Sequence, residues 1–187
     1  KKVMINIENT AFHAKKSLIS IDEISKIPGG LGTGDVKLIG SDLFYAENSE
    51  ITIDKDSNLD DPTDTYGKNQ SHIANSSVTL ESGMAISGSK DNQYGIGQEN
   101  KNSPDIILTN DGSITLTGSG TTGIYGNNTK IINNGNIVTG DSSTGIFSSN
   151  SAETLNNGDI NFGNSGIGIY GINTYGTYIG ASNNEIN

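Results

Sequence analysis

Apolar residues in this chain come in short runs that recur at a fixed distance. The segments 106–129 (IILTNDGSITLTGSGTTGIYGNNT), 130–152 (KIINNGNIVTGDSSTGIFSSNSA) and 153–176 (ETLNNGDINFGNSGIGIYGINTYG) repeat one order of apolar, polar and glycine positions. Ile114, Ile137 and Ile160 fall 23 residues apart, as do Asn110, Asn133 and Asn156. A period of this kind marks a stack of like units, each covering the apolar face of the next. The repeat continues upstream with drift: Ile51-Thr52-Ile53 precedes Val78-Thr79-Leu80 by 27 residues, and Tyr66-Gly67 precedes Tyr94-Gly95 by 28. The units are then roughly 51–77, 78–105, 106–129, 130–152 and 153–180, with the end of another in 36–50.

The apolar runs are rich in Ile, Val, Thr and Tyr and are broken by Gly and Asn, which is strand-and-turn chemistry. Helical repeats would need runs of ten or more residues with Ala, Leu and Glu, and a leucine-rich frame is missing. The pattern predicts an all-β, right-handed parallel β-helix (a solenoid) of about 23–28 residues per rung. In one rung, strands are predicted at 130–133, 136–139 and 145–148, with Asn133-Asn134-Gly135 as a tight bend using positive φ. Rungs stack at about 4.8 Å, so five to six of them make a rod roughly 25–30 Å long. Two-residue alternation puts Ile167 and Ile169 on the inner face and Tyr170 on the outer. Ile124, Ile146 and Ile169 then form one core column, and Ile114, Ile137 and Ile160 another. Tyr125, Phe147 and Tyr170 run up the outside, and Asn110, Asn133 and Asn156 stack as an amide ladder. Residues 1–35 do not fit the repeat and read as an irregular segment or an atypical rung, with 36–187 as the β-helix. Within the former, 17–21 reads as a strand or as part of a short helix through Ile27.

Composition sharpens this picture. Only 32% of the 187 residues are hydrophobic, too few for an ordinary compact globule but enough for a solenoid with a thin apolar axis. The chain has no Cys, so neither disulfides nor thiolate metal sites exist, and no Arg; all eleven basic residues are Lys. The net charge of −10 argues against nucleic-acid partners and anionic lipid. No apolar run approaches the roughly 20 residues of a membrane span, so no direct insertion is expected. The pattern opens and closes mid-unit, as expected of a piece of a longer protein.

The recurring Asn-Asn-Gly-x-Ile bend (133–137, 156–160) and the Gly-Ile-Tyr strand (123–125) resemble passenger domains of bacterial type V autotransporters. The Asn-, Ile- and Lys-rich wording without Arg, Trp or Cys is similar to the large fusobacterial outer-membrane adhesins of that class. The resemblance covers about 36–187. It implies an extracellular passenger displayed from the outer membrane of a longer exported protein. The implied partners are host cell-surface proteins, glycans or other bacteria. It carries no binding residues over, because the shared motif is structural.

Candidate chemistry is sparse. The outer aromatic column, read as Tyr66, Tyr94, Tyr125, Phe147 and Tyr170, offers flat faces for sugar rings; the same stack would also stabilise parallel strands without binding anything. Asp54, Asp56, Asn58 and Asp60 have the alternate-oxygen spacing of a Ca²⁺ loop. Leu59 and Thr65 depart from the EF-hand pattern, and a plain acidic turn is the other reading; no cofactor is otherwise expected. Gly29–Asp35 resembles a single toxin-type calcium nonapeptide or a flexible linker. Gly163-Asn164-Ser165-Gly166 resembles a serine-protease nucleophile segment with Asn164 in place of Asp. It occupies a repeat loop, and nothing in the sequence indicates that His13 or His72 meets Ser165 to serve as its base. Scattered acidic residues such as Asp105 and Asp159 do not suggest a catalytic pair. The expected function is adhesion without catalysis; a polysaccharide-acting enzyme on the same scaffold and a passive spacer are the alternatives.

Overall fold

The computed structural model describes residues 10–15, 18–20, 42–47, 50–62, 64, 66–67, 70, 73–99, 106–150, 153–174 and 177–179, with side chains described between 50 and 174. The chain winds as successive turns of short strands. The lowest turn supplies β1 (Thr10–Lys15) and β2 (Leu18–Ser20), and the next β3 (Asp42–Glu47), β4 (Glu50–Ile53) and β5 (Ser57–Asn58). Then come β6 (Ile73–Ala74), β7 (Ser77–Leu80), β8 (Ala85–Gly88) and β9 (Tyr94–Glu99). The regular turns follow: β10 (Ile107–Asn110), β11 (Ser113–Leu116) and β12 (Thr122–Asn127); β13 (Lys130–Asn133), β14 (Asn136–Thr139) and β15 (Thr144–Ser149); β16 (Glu153–Asn156), β17 (Ile160–Phe162) and β18 (Ile167–Ile172). β19 (Thr177–Ile179) opens another.

Among the described residues every strand pairing is parallel, and strands pair only with their counterparts one turn away. One sheet runs β19-β16-β13-β10-β7-β4-β2, and a second runs β17-β14-β11-β8-β5. This is a parallel β-helix. The predicted 23-residue register is present: Ile114 pairs with Ile137, and Ile137 with Ile160. The lowest turn is longer, because Thr10 pairs with Asp42 and Leu18 with Glu50, 32 residues on. β1 and β2 thus carry parallel strands into the segment 1–35; 21–27 and 29–35 lie outside the described residues.

Stacking puts like on like in a dry axis. Ile86, Ile114, Ile137 and Ile160 form one fully buried column, and Ile96, Ile124 and Ile146 another that the partly buried Ile169 continues. A third runs Ile51, Val78, Leu108 and Ile131. Each such side chain contributes about 1.5–3 kcal/mol by leaving water. Ile167 departs from the expected alternation and is 45% exposed. The reason lies at the strand start, where Gly123 and Ile124, like Gly145 and Ile146, are both buried. A Cβ on Gly123 would come within 2.5 Å of Ile137 Cγ2, so the backbone turns inward there and resets the alternation.

The bends also differ from expectation in one respect. None of Asn133, Asn134 and Gly135 has positive φ. Glycine is needed there for closeness: a Cβ on Gly135 would overlap the Gly112 carbonyl oxygen, and one on Gly158 the Gly135 carbonyl oxygen. At this corner the left-handed conformation occurs one turn before the regular ones, at Gly83 (φ 82°); in the regular turns it sits at two other corners. Asn92, Gly120, Ser142 and Ser165 form one column and Asn128, Asn150 and Asn173 another. The predicted amide ladder is present. Asn110 Nδ2 donates to Asn133 Oδ1 (2.7 Å), Asn133 Nδ2 to Asn156 Oδ1 (2.6 Å), and Asn156 Nδ2 to Gly158 O (2.8 Å). All three side chains are fully buried.

The third face of the rod is divided. β1, β3 and β6 form a three-stranded sheet, and β9, β12, β15 and β18 a separate four-stranded one. Each of these strands precedes a strand of the long sheet, so the two occupy the same phase of the turn. Between β6 and β9 the ladder is interrupted.

Candidate functional site

The alternation that buries Ile124, Ile146 and Ile169 turns Tyr125, Phe147 and Tyr170 outward in register. Tyr125 and Phe147 stack at 5.3 Å between ring centroids, 14° apart, and Phe147 and Tyr170 lie 5.5 Å apart, tilted by 50°. Tyr170 is 44% exposed. Tyr94 joins by another route. Its backbone pairs with Thr122, and Gly97 holds the place opposite Tyr125. A Cβ on Gly97 would meet Tyr94 Cδ2 at 2.5 Å, so the Tyr94 ring lies over Gly97 and fills that place. Its centroid is 6.5 Å from that of Tyr125, with the planes 43° apart. In the middle of the column the rings cover one another's faces; at the Tyr94 end the column borders a cavity.

Tyr66 does not belong to this column. It is 1% exposed, in helical backbone at 66–67, and its hydroxyl donates to Gly95 O (2.7 Å). Burial pushes its phenol well above the ordinary pKa. The longer connection after Asp60 turns this residue inward, so that it covers the edge of β9. Gln70 Nε2 donates to Tyr94 O (2.7 Å) and Gly95 O (2.6 Å) on the same edge. Gln98, on β9, accepts from Ser76 N (3.0 Å) through Oε1 and donates through Nε2 to Ser76 O. Side-chain amides thus supply hydrogen bonds to the backbone where no ladder joins β6 and β9 among the described residues.

The interruption leaves a cleft of about 600 Å³. Ile73 and Ala74 of β6 lie on one side, Tyr94, Gly97 and Gln98 of β9 on another, and Thr122 and Tyr125 of β12 complete the wall. Asn75, Asn92, Gln70 and Gln93 also line it. The chain contains three glutamines, and all three are here. No Asp, Glu, Lys or His is among the described lining residues. The signal in the sequence is the pair of longer excursions at 60–71 and 89–104, which read either as contact-bearing insertions on one face or as tolerated drift; Gln70, Asn92, Gln93, Tyr94, Gly97 and Gln98 fall within them.

Asp56 and Asp60 are occupied by stitching between turns, and Asn58 by a local bond. Asp56 Oδ1 accepts from Ala85 N (2.9 Å), Asn58 Oδ1 from Asp60 N (3.0 Å), and Asp60 from Ser89 N (2.7 Å) and Gln93 Nε2 (2.9 Å). Hydrogen bonding by Ser89, ahead of Gln93 and the Lys90 charge, lowers the Asp60 pKa against an opposing desolvation. Together with Asp54, these residues form no metal-holding group of three or more acidic, His or Cys side chains; none exists among the described residues. Gly29–Asp35, His72 and Asp105 lie outside the described residues. Ser165 is left-handed (φ 57°) in the column of Asn92, Gly120 and Ser142, which accounts for its place in the loop.

The architecture defines the chain as a pectate lyase-like parallel β-helix. It belongs to the family of the BigA third pectate lyase-like domain, whose model matches residues 2–179. It is accordingly a surface-exposed β-helix domain of an adhesin-like protein. No curated protein and no solved structure matches the chain.

Proposed function

We propose that this domain is a non-catalytic binding segment of an exported adhesin, held at the outer membrane through a type V route and directed at glycans on host or partner cells. The observation that carries this reading is an aromatic column reaching the rim of a cleft lined by amides and tyrosines, on a rod whose other outward positions are mostly polar. A pocket with an apolar floor and a few convergent polar groups is the usual form of a small-ligand site, about 300–1,000 Å³ in volume. The fold name does not carry lyase activity with it, since chemistry resides in sites. A glycan hydrolase needs two carboxyl groups about 5–10 Å apart flanking its substrate, and the described cleft lining supplies none.

The test is binding of the isolated domain to host cells and to immobilised glycans, with product analysis of any glycan bound. Saturable retention without turnover is expected. Tyr125→Ala should weaken it about tenfold or more, as for truncation of a central aromatic anchor. A passive spacer would be retained by neither surface, and release of shortened glycans would replace this reading with an enzyme.

A further inference from the structure

We propose that the interruption between β6 and β9 is the sugar pocket itself, and that it takes a short, uncharged saccharide. This rests on the adhesin reading and narrows it to one site and one ligand class.

The lining chemistry carries the assignment. Among the described lining residues the polar groups are carboxamides, hydroxyls and backbone, and a carboxamide offers two donors and two acceptor lone pairs. Gln98 commits one donor and one acceptor to Ser76, and Gln93 uses Nε2 on Asp60 and Oε1 on Lys90 N (3.0 Å). Each amide is therefore held in one orientation and retains bonding capacity. Groups fixed in this way lose little entropy when a ligand arrives. Vicinal hydroxyls, each both donor and acceptor, match such groups.

Shape and apolar surface agree. Ile73 and Ala74 supply aliphatic surface, and Tyr94 and Tyr125 supply rings tilted by 43°, an aromatic corner rather than a closed stack. A pyranose has an aliphatic C–H face for a ring and hydroxyl edges for amides.

Charge sets the class. A carboxylate or sulfate on the ligand would need a cationic partner when removed from water. The chain has no Arg and carries a net charge of −10, and the described lining includes no Lys. Acidic glycans are thereby disfavoured, and binding should depend little on salt.

The experiment uses the whole chain on an array of neutral, sialylated and sulfated glycans, with calorimetry on the strongest ligand at low and high salt. Neutral glycans should dominate, with affinity changing less than about twofold with salt. Asn92→Gly removes one amide yet keeps the left-handed backbone, because Gly120 holds the equivalent place one turn on. It should weaken binding several-fold, and Tyr125→Ala about tenfold or more. Val138→Ser, on the second sheet, should bind as the parent does. Circular dichroism checks that each variant is folded. Preference for acidic glycans, or full binding by both folded cleft variants, overturns the pocket. If neutral glycans are ignored while cells are still bound, the pocket fails and the adhesin reading survives. If neither cells nor glycans are bound, both fail.

Discussion

A residue in this rod is constrained chiefly by its own copies one turn above and below. Gly135 illustrates the severity of that constraint, since its missing side chain would occupy the space of the Gly112 carbonyl oxygen. Gly135→Ala should lower unfolding free energy by about 1–3 kcal/mol in urea titrations, as overpacking does elsewhere. Asp60 shows the same logic in charge. Its folded pKa is lowered, so its stabilising effect is fully present above the unfolded value near 4 and is lost as pH falls through the folded value. The stability gap between the parent and Asp60→Asn should therefore narrow on acidification below about pH 4; a gap that widens there would contradict the bonding described. Asn133 and Ile137 were legible at this scale because identical residues recur at one phase. Tyr66 was not. Its Tyr-Gly pair matches Tyr94-Gly95 in wording, yet the phenol is buried at the edge of β9.

At the scale of elements, the unit of stability is a column running across strands. Asn110, Asn133 and Asn156 form a buried chain of amides in the phase that Ile53 and Leu80 fill below. Asn133→Ala strands a donor on Asn110 and an acceptor on Asn156, and should cost about 2–3 kcal/mol. Replacing all three by Leu should cost clearly less than three times that amount, since no side-chain amide then remains, while the end bonds to Gly112 N and Gly158 O are lost. Thermal melts of the single and triple variants would read this non-additivity. The strands of 130–149 follow the sequence expectation closely, because polar–apolar alternation and period agree there. The reversal at Gly145-Ile146 was hidden, because inward glycines leave no apolar mark in the pattern.

For the whole molecule, two long sheets run through the stack while the third is interrupted. Sub-global opening should start where ladder bonds give way to side chains. In hydrogen exchange, amides of β10 to β16 are expected to be slowest and those of 73–76 and 92–95 markedly faster. Tyr66→Phe, which removes the bond to Gly95 O, should speed the latter group further and leave β13 to β16 unchanged. Uniform exchange along the rod would argue that the break has no energetic weight. Periodicity alone dictated the winding, the aliphatic columns and the amide ladder, because in a translational repeat each residue meets its equivalent and spacing becomes contact. The split of the third sheet, the inward turn of Tyr66 and the gathering of all three glutamines around one cleft required folding in three dimensions. They arise where non-equivalent segments meet, and no period relates such segments to each other.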